Sequence, residues 1–185
     1  MSQKALVFLA EGFEEVEAVT PIDYLRRAGI EVNAVSLSGN RAVSGAHGLQ
    51  IVADSLITEI REGTAWDVIV CPGGMPGASN IAASAEACAL LRDQAGAGRC
   101  IAAICASPAV VLAGLGLLRG RRFTCYPGME DGAADAIWSA GNVVTDGNII
   151  TSRGPGTAGL FASAIIDVVL SHEDADKIAK STLLS

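Results

Sequence analysis

The sequence predicts an α/β fold with a mostly parallel sheet and helices on both faces. Three observations predict it. Short apolar runs rich in Val and Ile alternate along the chain with longer segments of helical periodicity. Several of these runs are apolar throughout rather than at every second residue, as strands buried on both faces are. The 185 residues contain no internal repeat, low-complexity tract or Pro/Ser-rich linker, so a single domain over 1–185 accounts for the chain.

The elements follow in order. Residues 5–9 (ALVFL) read as a strand, and 14–28 as a helix with an apolar stripe at Val16, Val19, Ile22 and Leu25. Pro21 either bends that helix or breaks it in two, and Gly29 ends it as a left-handed cap. Residues 32–37 form a second strand, and 40–56 a hairpin excursion. Residues 67–71 form a third strand running into Pro72-Gly73-Gly74, followed by a helix over roughly 83–95. Residues 100–104 (CIAAI) read as a fully buried strand, and Pro108 opens another helix in its first turn. Residues 149–152 form a late strand, 154–156 a turn, and Thr157 the N-cap of a helix reaching 170. The stretch 121–146 carries no clear periodicity.

Composition narrows the function classes. With 13 Lys+Arg against 20 Asp+Glu the chain carries a net charge of −7, which repels phosphate backbones and argues against a nucleic-acid partner. Mean hydropathy is high at +0.41, yet no apolar run approaches the ~18 residues a spanning helix needs. Glu11 interrupts the N-terminal run before a secretory segment can form. The expected setting is the cytoplasm, with no membrane association. Aromatics make up 4%, so the core must be aliphatic and rich in alanine. The five cysteines, at 71, 88, 100, 105 and 125, are odd in number and include no Cys-x-x-Cys pair, which fits neither a disulfide framework nor a thiolate zinc site. Only His47 and His172 are available as histidine ligands, and neither lies beside a cysteine.

Ligand sites in parallel sheets form beyond the carboxyl ends of the strands. That rule selects 11–17, 72–74, 105–108 and 152–157. Cys105 comes first, because it follows a buried strand and precedes a helix. This is the arrangement of a nucleophile elbow, where helix N–H groups favour thiolate. A small apolar cysteine finishing a strand, as Cys71 is expected to be, explains the same spacing equally well. Glu17 borders the apolar stripe: as a solvated carboxylate, the commoner case, it does no more than favour the helix dipole, whereas half-buried its carboxyl would titrate high and donate a proton near neutral pH; Glu14 and Glu15 read as an exposed acidic first turn. Gly73 and Gly74 either form a plain turn or open N–H groups toward an oxyanion. Arg153, with Gly154 and Pro155, either holds a small carboxylate or phosphate or makes an ion pair.

Taken together, Ala5-Leu6-Val7, Glu14-Glu15-x-Glu17, residues 26–30 (RRAGI), Pro72-Gly73-Gly74, residues 101–106 (IAAICA) and residues 151–157 (TSRGPGT) resemble the ThiJ/PfpI family. Within it, they are most similar to the branch of the parkinsonism-associated deglycases and their bacterial relatives. The resemblance implies a flavodoxin-like three-layer sandwich, usually a homodimer built on the helix bearing Asp23 and Arg27 and its preceding strand. It implies Cys105 as nucleophile, Glu17 as its protonated partner, and Gly74 and Ala106, with Gly73, as backbone donors to an oxyanion. The implied activity is cofactor-independent, needing neither metal nor glutathione. It acts on small aldehydes such as methylglyoxal and glyoxal, or on their early protein adducts. The alternative is an oxidative-stress sensor or redox-regulated chaperone using the same sulfur. Ala106 replaces the histidine that follows the nucleophile in peptidase-like members, which argues against proteolysis. Tyr126 stands where a human member has a histidine, leaving His47 as the one histidine near the site, and His172-Glu173-Asp174 does not fit the amidotransferase pattern.

Overall fold

Apolar strands and the helices between them wind into one seven-stranded sheet. The computed structural model describes residues 2–61 and 63–184. In chain order the elements are β1 (Lys4–Leu9), α1 (Glu15–Arg27), β2 (Glu31–Ser36), β3 (Ala42–Ser44), β4 (Gln50–Val52), β5 (Ser55–Leu56) and β6 (Val68–Cys71). They continue with α2 (Gly77–Ala83), α3 (Ala85–Gly96), β7 (Cys100–Ile104), β8 (Arg122–Phe123), β9 (Ile137–Trp138), β10 (Val143–Asp146), β11 (Ile149–Ser152), α4 (Ala158–Val169) and α5 (His172–Ser181). The sheet order is β10-β11-β7-β6-β1-β2-β5, parallel except for the edge strand β10. β3 and β4 form the expected hairpin outside this sheet. α1 packs with α4 and α4 with α5, while α2 packs with α3 and with the turn after β7, giving the two helical layers. β1, β6 and β7 are buried along almost their whole length, which is why they read as continuous apolar runs.

The stretch that lacked periodicity, 121–146, contributes β8 and β9, a small two-stranded parallel ladder, and then β10. Its strands are too short for alternation to show.

Several expectations change. Val16 and Val19 face solvent, 48% and 43% exposed, so only the Ile22 and Leu25 half of the apolar stripe turns inward; Glu15, Glu17, Ala18 and Pro21 complete the buried face. Pro21 lies within one continuous helix. The helix expected over 83–95 is two, because Ser84 ends α2 and caps α3, its hydroxyl accepting from the Ala87 N–H at 3.2 Å. The helix opened by Pro108 is a single widened turn, Pro108–Leu112, closed by the Ala113 N–H on the Pro108 carbonyl at 3.0 Å. Thr157 stands at the N-cap of α4, but its hydroxyl meets Ser152 Oγ at 2.7 Å and donates to the Gly154 carbonyl at 2.8 Å instead of capping.

Candidate active site

Four neighbouring strands, β1, β6, β7 and β11, end side by side, and the loops beyond them converge on Cys105. Cys105 adopts φ +64°, a left-handed conformation costly for any side chain with a Cβ. Two backbone bonds hold it there: the Cys105 N–H donates to the Ser152 carbonyl at 2.9 Å, and the Tyr126 N–H donates to the Cys105 carbonyl at 2.8 Å. The turn aims the sulfur at the Glu17 carboxyl and at the N–H groups of Gly74 and Ala106 while leaving the residue 8% exposed. This is the elbow geometry, with donors from two different loops.

Glu17 is fully buried on the first turns of α1. Its Oε2 accepts from the Gly73 N–H at 2.9 Å, and its Oε1 is buried without a hydrogen-bond partner of ordinary geometry among the described residues. Burial pushes its carboxyl up to about 7; the nearby Glu14 adds to this, while Cys105 and the Gly73 N–H oppose it. Gly73 therefore serves Glu17 and not the oxyanion position expected for it. It must be glycine for that purpose, since a Cβ would lie 2.5 Å from Glu17 Oε2 and 2.6 Å from Cys105 Cβ. Gly74, at φ +84°, has no room for a Cβ beside the Glu14 N and the Gly12 carbonyl.

Burial opposes the helix-terminal thiolate that the elbow position suggests. Burial and then the charge of Glu17 push the thiol up to about 12, against the pull of the Gly74 and Ala106 N–H groups. Only one widened turn follows it, too short for the field of a full helix. The sulfur and the carboxyl thus form a pair competing for a proton, and ionising one opposes ionising the other.

Glu14 and Glu15 are not an exposed acidic turn; they are 8% and 4% exposed. Glu14 Oε2 caps α1 by accepting from the Glu17 N–H at 2.7 Å. Glu15 anchors the β3–β4 hairpin: Oε1 accepts from the N–H of His47 at 2.7 Å and of Leu49 at 3.3 Å, and Oε2 lies 2.8 Å from His47 Nδ1. Burial raises the Glu15 carboxyl, but these donors outweigh it and hold it below its usual range. His47 is accordingly engaged by Glu15, and among the described residues no hydrogen bond links it to Cys105. Glu14, Glu15 and His47 place ligand atoms within 4.8 Å of one another, the one such trio among the described residues, yet the Glu15 oxygens already have N–H donors.

Arg153, Gly154 and Pro155 line a shallow hollow of about 200 Å³ with Tyr126, Asn142 and Thr157. A Cβ on Gly154 would sit 3.4 Å from the Tyr126 ring and 3.9 Å from Glu17 Oε1, so this hollow borders the carboxyl. Arg153 meets no acidic side chain within ion-pair distance among the described residues. The sequence reading passed over Ser107. Its hydroxyl, fully buried, donates to the Pro72 carbonyl at 2.5 Å. The signal was present: a lone hydroxyl in the apolar run 101–113 must find a buried acceptor. Among the described residues no helix is long and apolar enough to cross a membrane.

Comparison with known proteins finds relatives that match this chain over nearly its whole length. Protein dj-1beta of Drosophila melanogaster is 41% identical over 187 residues, covering 100% of this chain and 99% of the relative. Its crystal structure superposes with a TM-score of 0.95 over the full length of both chains. The structure titled "Toxoplasma gondii DJ-1, oxidized" is 42% identical with a TM-score of 0.94, covering 98% of each chain. Glutathione-independent glyoxalase DJR-1.2 of Caenorhabditis elegans is 34% identical, covering 99% of this chain and 97% of the relative. The model of the DJ-1/PfpI family matches residues 3–168, and the chain belongs to that family.

Proposed function

We propose that the protein is a cofactor-independent glyoxalase that converts small 2-oxoaldehydes, methylglyoxal foremost, to 2-hydroxy acids, and that acts on their early protein adducts through the same sulfur. The carrying observation is the contact of a left-handed Cys105 with the buried carboxyl of Glu17 and the two N–H groups of Gly74 and Ala106. The glyoxalase name of the nematode relative supports the reading.

The raised proton affinities of both groups suit concerted chemistry. In this reading the reaction starts from the thiol and the Glu17 carboxylate. As the sulfur attacks the aldehyde carbon, its proton passes to Glu17 and the C–S bond forms, leaving an alkoxide opposite the Gly74 and Ala106 N–H groups. The Glu17 acid protonates that alkoxide, giving a hemithioacetal and restoring the carboxylate. Glu17 next removes the proton from the former aldehyde carbon, forming an enediolate, and returns it to the adjacent carbon while the hemithioacetal hydroxyl proton passes to the neighbouring oxygen. The resulting thioester of the 2-hydroxy acid is hydrolysed by water, releasing product and free thiol. The sum is addition of one water with no net oxidation. In this reading Arg153 meets the carboxylate that appears on hydrolysis, and Tyr126 closes the hollow; their place in the lining of the hollow supports it. Methylglyoxal consumption with lactate formation, lost in Cys105→Ala, tests the reading; consumption unaffected by that substitution overturns it. Two oxygens added to Cys105 by dilute peroxide in a protein without aldehyde turnover would favour the redox sensor instead.

We also propose a homodimer. Val16 and Val19 on α1 and Leu49 and Val52 on the hairpin are exposed apolar side chains (43–72%) on elements that Glu15 fastens together. Sedimentation at micromolar concentration should give twice the 18.8 kDa chain mass, and a monomer there refutes it. The five cysteines are unpaired, which suits a reducing compartment such as the cytoplasm.

A further inference from the structure

Three segments must be held in register for the sulfur of Cys105 to meet a carboxyl and two N–H donors at once. The loop 72–74 is tied to α1 twice: the Glu14 N–H donates to the Gly73 carbonyl at 3.0 Å, and the Gly73 N–H donates to Glu17 Oε2 at 2.9 Å. The elbow is tied to β11 and to residue 126 through its own backbone. Between the elbow and the loop 72–74 runs one side-chain hydrogen bond among the described residues, from Ser107 Oγ to the Pro72 carbonyl. The two N–H groups that flank the sulfur come from opposite sides of this join, Gly74 from the loop and Ala106 from the elbow.

From this geometry we infer that Ser107 is a positioning residue, which fixes the Ala106 N–H against the Gly74 N–H across the sulfur and holds Cys105 within reach of Glu17. Ser107 touches neither the sulfur nor the hollow beside Arg153; it acts through the loop. Alanine would fill the same fully buried space without a polar group, and the Pro72 carbonyl would then lose the one partner it has among the described residues. Relaxation of the join by a fraction of an ångström weakens both donors together, because neither loop carries the pair alone. The inference rests on the glyoxalase reading for its kinetic consequence but not for its chemical one.

The test uses Ser107→Ala and Ser107→Thr, with denaturant unfolding to establish that each is folded. Site-resolved alkylation of Cys105 by iodoacetamide is followed as a function of pH, and methylglyoxal turnover is measured in parallel. Ser107→Ala should move the alkylation profile to higher pH and lower kcat about tenfold to a hundredfold with KM within threefold. Ser107→Thr, which keeps the hydroxyl, should restore both. A Ser107→Ala protein that loses stability but keeps the wild-type profile and kcat would reduce Ser107 to a structural tie and overturn the inference. Should the threonine methyl prevent folding, the Ser107→Ala profile decides alone. Wild-type protein without turnover would refute the glyoxalase reading only, since the alkylation profile still answers for Ser107.

Discussion

Cys71 and Cys105 sit at the ends of adjacent parallel strands, β6 and β7, the first just before the glycine pair 73–74 in the chain and the second packed against it in space. Cys71 is the last residue of its strand, keeps strand geometry, and is wholly buried. Burial drives its thiol far above the usual range, and the neighbouring Cys88 adds to it. Cys105 stands one residue past its strand, at φ +64°, and that single left-handed step rotates the side chain out of the sheet toward Glu17 and two N–H donors. In both cases the sulfur ends an unbroken apolar run. The proposed reactivity depends on whether the chain turns before or after the sulfur is placed.

The sharpest way to break this comparison is to remove each sulfur. Cys105→Ala should reduce methylglyoxal turnover to the uncatalysed background, while Cys71→Ala should keep turnover within about threefold and cost about 1–2 kcal/mol in denaturant unfolding, as a small core cavity does. Equal losses of activity would mean that the elbow has no special role. Next in size is Glu17→Gln, which removes the group that exchanges a proton with the sulfur and should lower kcat about 10²–10⁴-fold.

The same substitution exposes the energetics of the pair. Folding raises the Glu17 carboxyl to about 7, so the folded state holds that proton more tightly than the unfolded chain does. Its stabilising contribution is fully present below the ordinary carboxyl range and is lost as pH rises to about 7, a fall of about 3 kcal/mol at most. Unfolding free energies from pH 4 to 8 should decline less in Glu17→Gln than in wild type; parallel curves would show that Glu17 titrates normally. The smallest effect tests the backbone itself. Cys105→Gly should be about 1 kcal/mol more stable than Cys105→Ala, because only glycine takes φ +64° without strain. An alanine variant of equal or greater stability would place that strain elsewhere.

Much of this was legible beforehand. The strands at 5–9, 100–104 and 149–152 could be read because burial on both faces writes itself as an unbroken apolar run. The four segments of the site followed from the rule on strand ends. What failed were inferences about which way side chains face. Val16 and Val19 repeat at helical spacing yet point to solvent, and Glu14 and Glu15 look solvated yet are enclosed by the hairpin, which is distant in sequence. Helical periodicity marks a stripe but not the partner that covers it. Ser107 was overlooked because a hydroxyl states only that it needs an acceptor, and Pro72 lies 35 positions away.

The sequence alone determined the alternation of elements, the parallel sheet and the identity of the sulfur and carboxyl that lie at strand ends, since these depend on local periodicity and chain order. Only the tertiary structure decided that Glu17 is sealed from water, that Gly73 serves the carboxyl and not the oxyanion position, and that His47 belongs to Glu15. Each of those depends on the dielectric and donors that segments remote in sequence bring to one point, and proton affinity is a property of that enclosure.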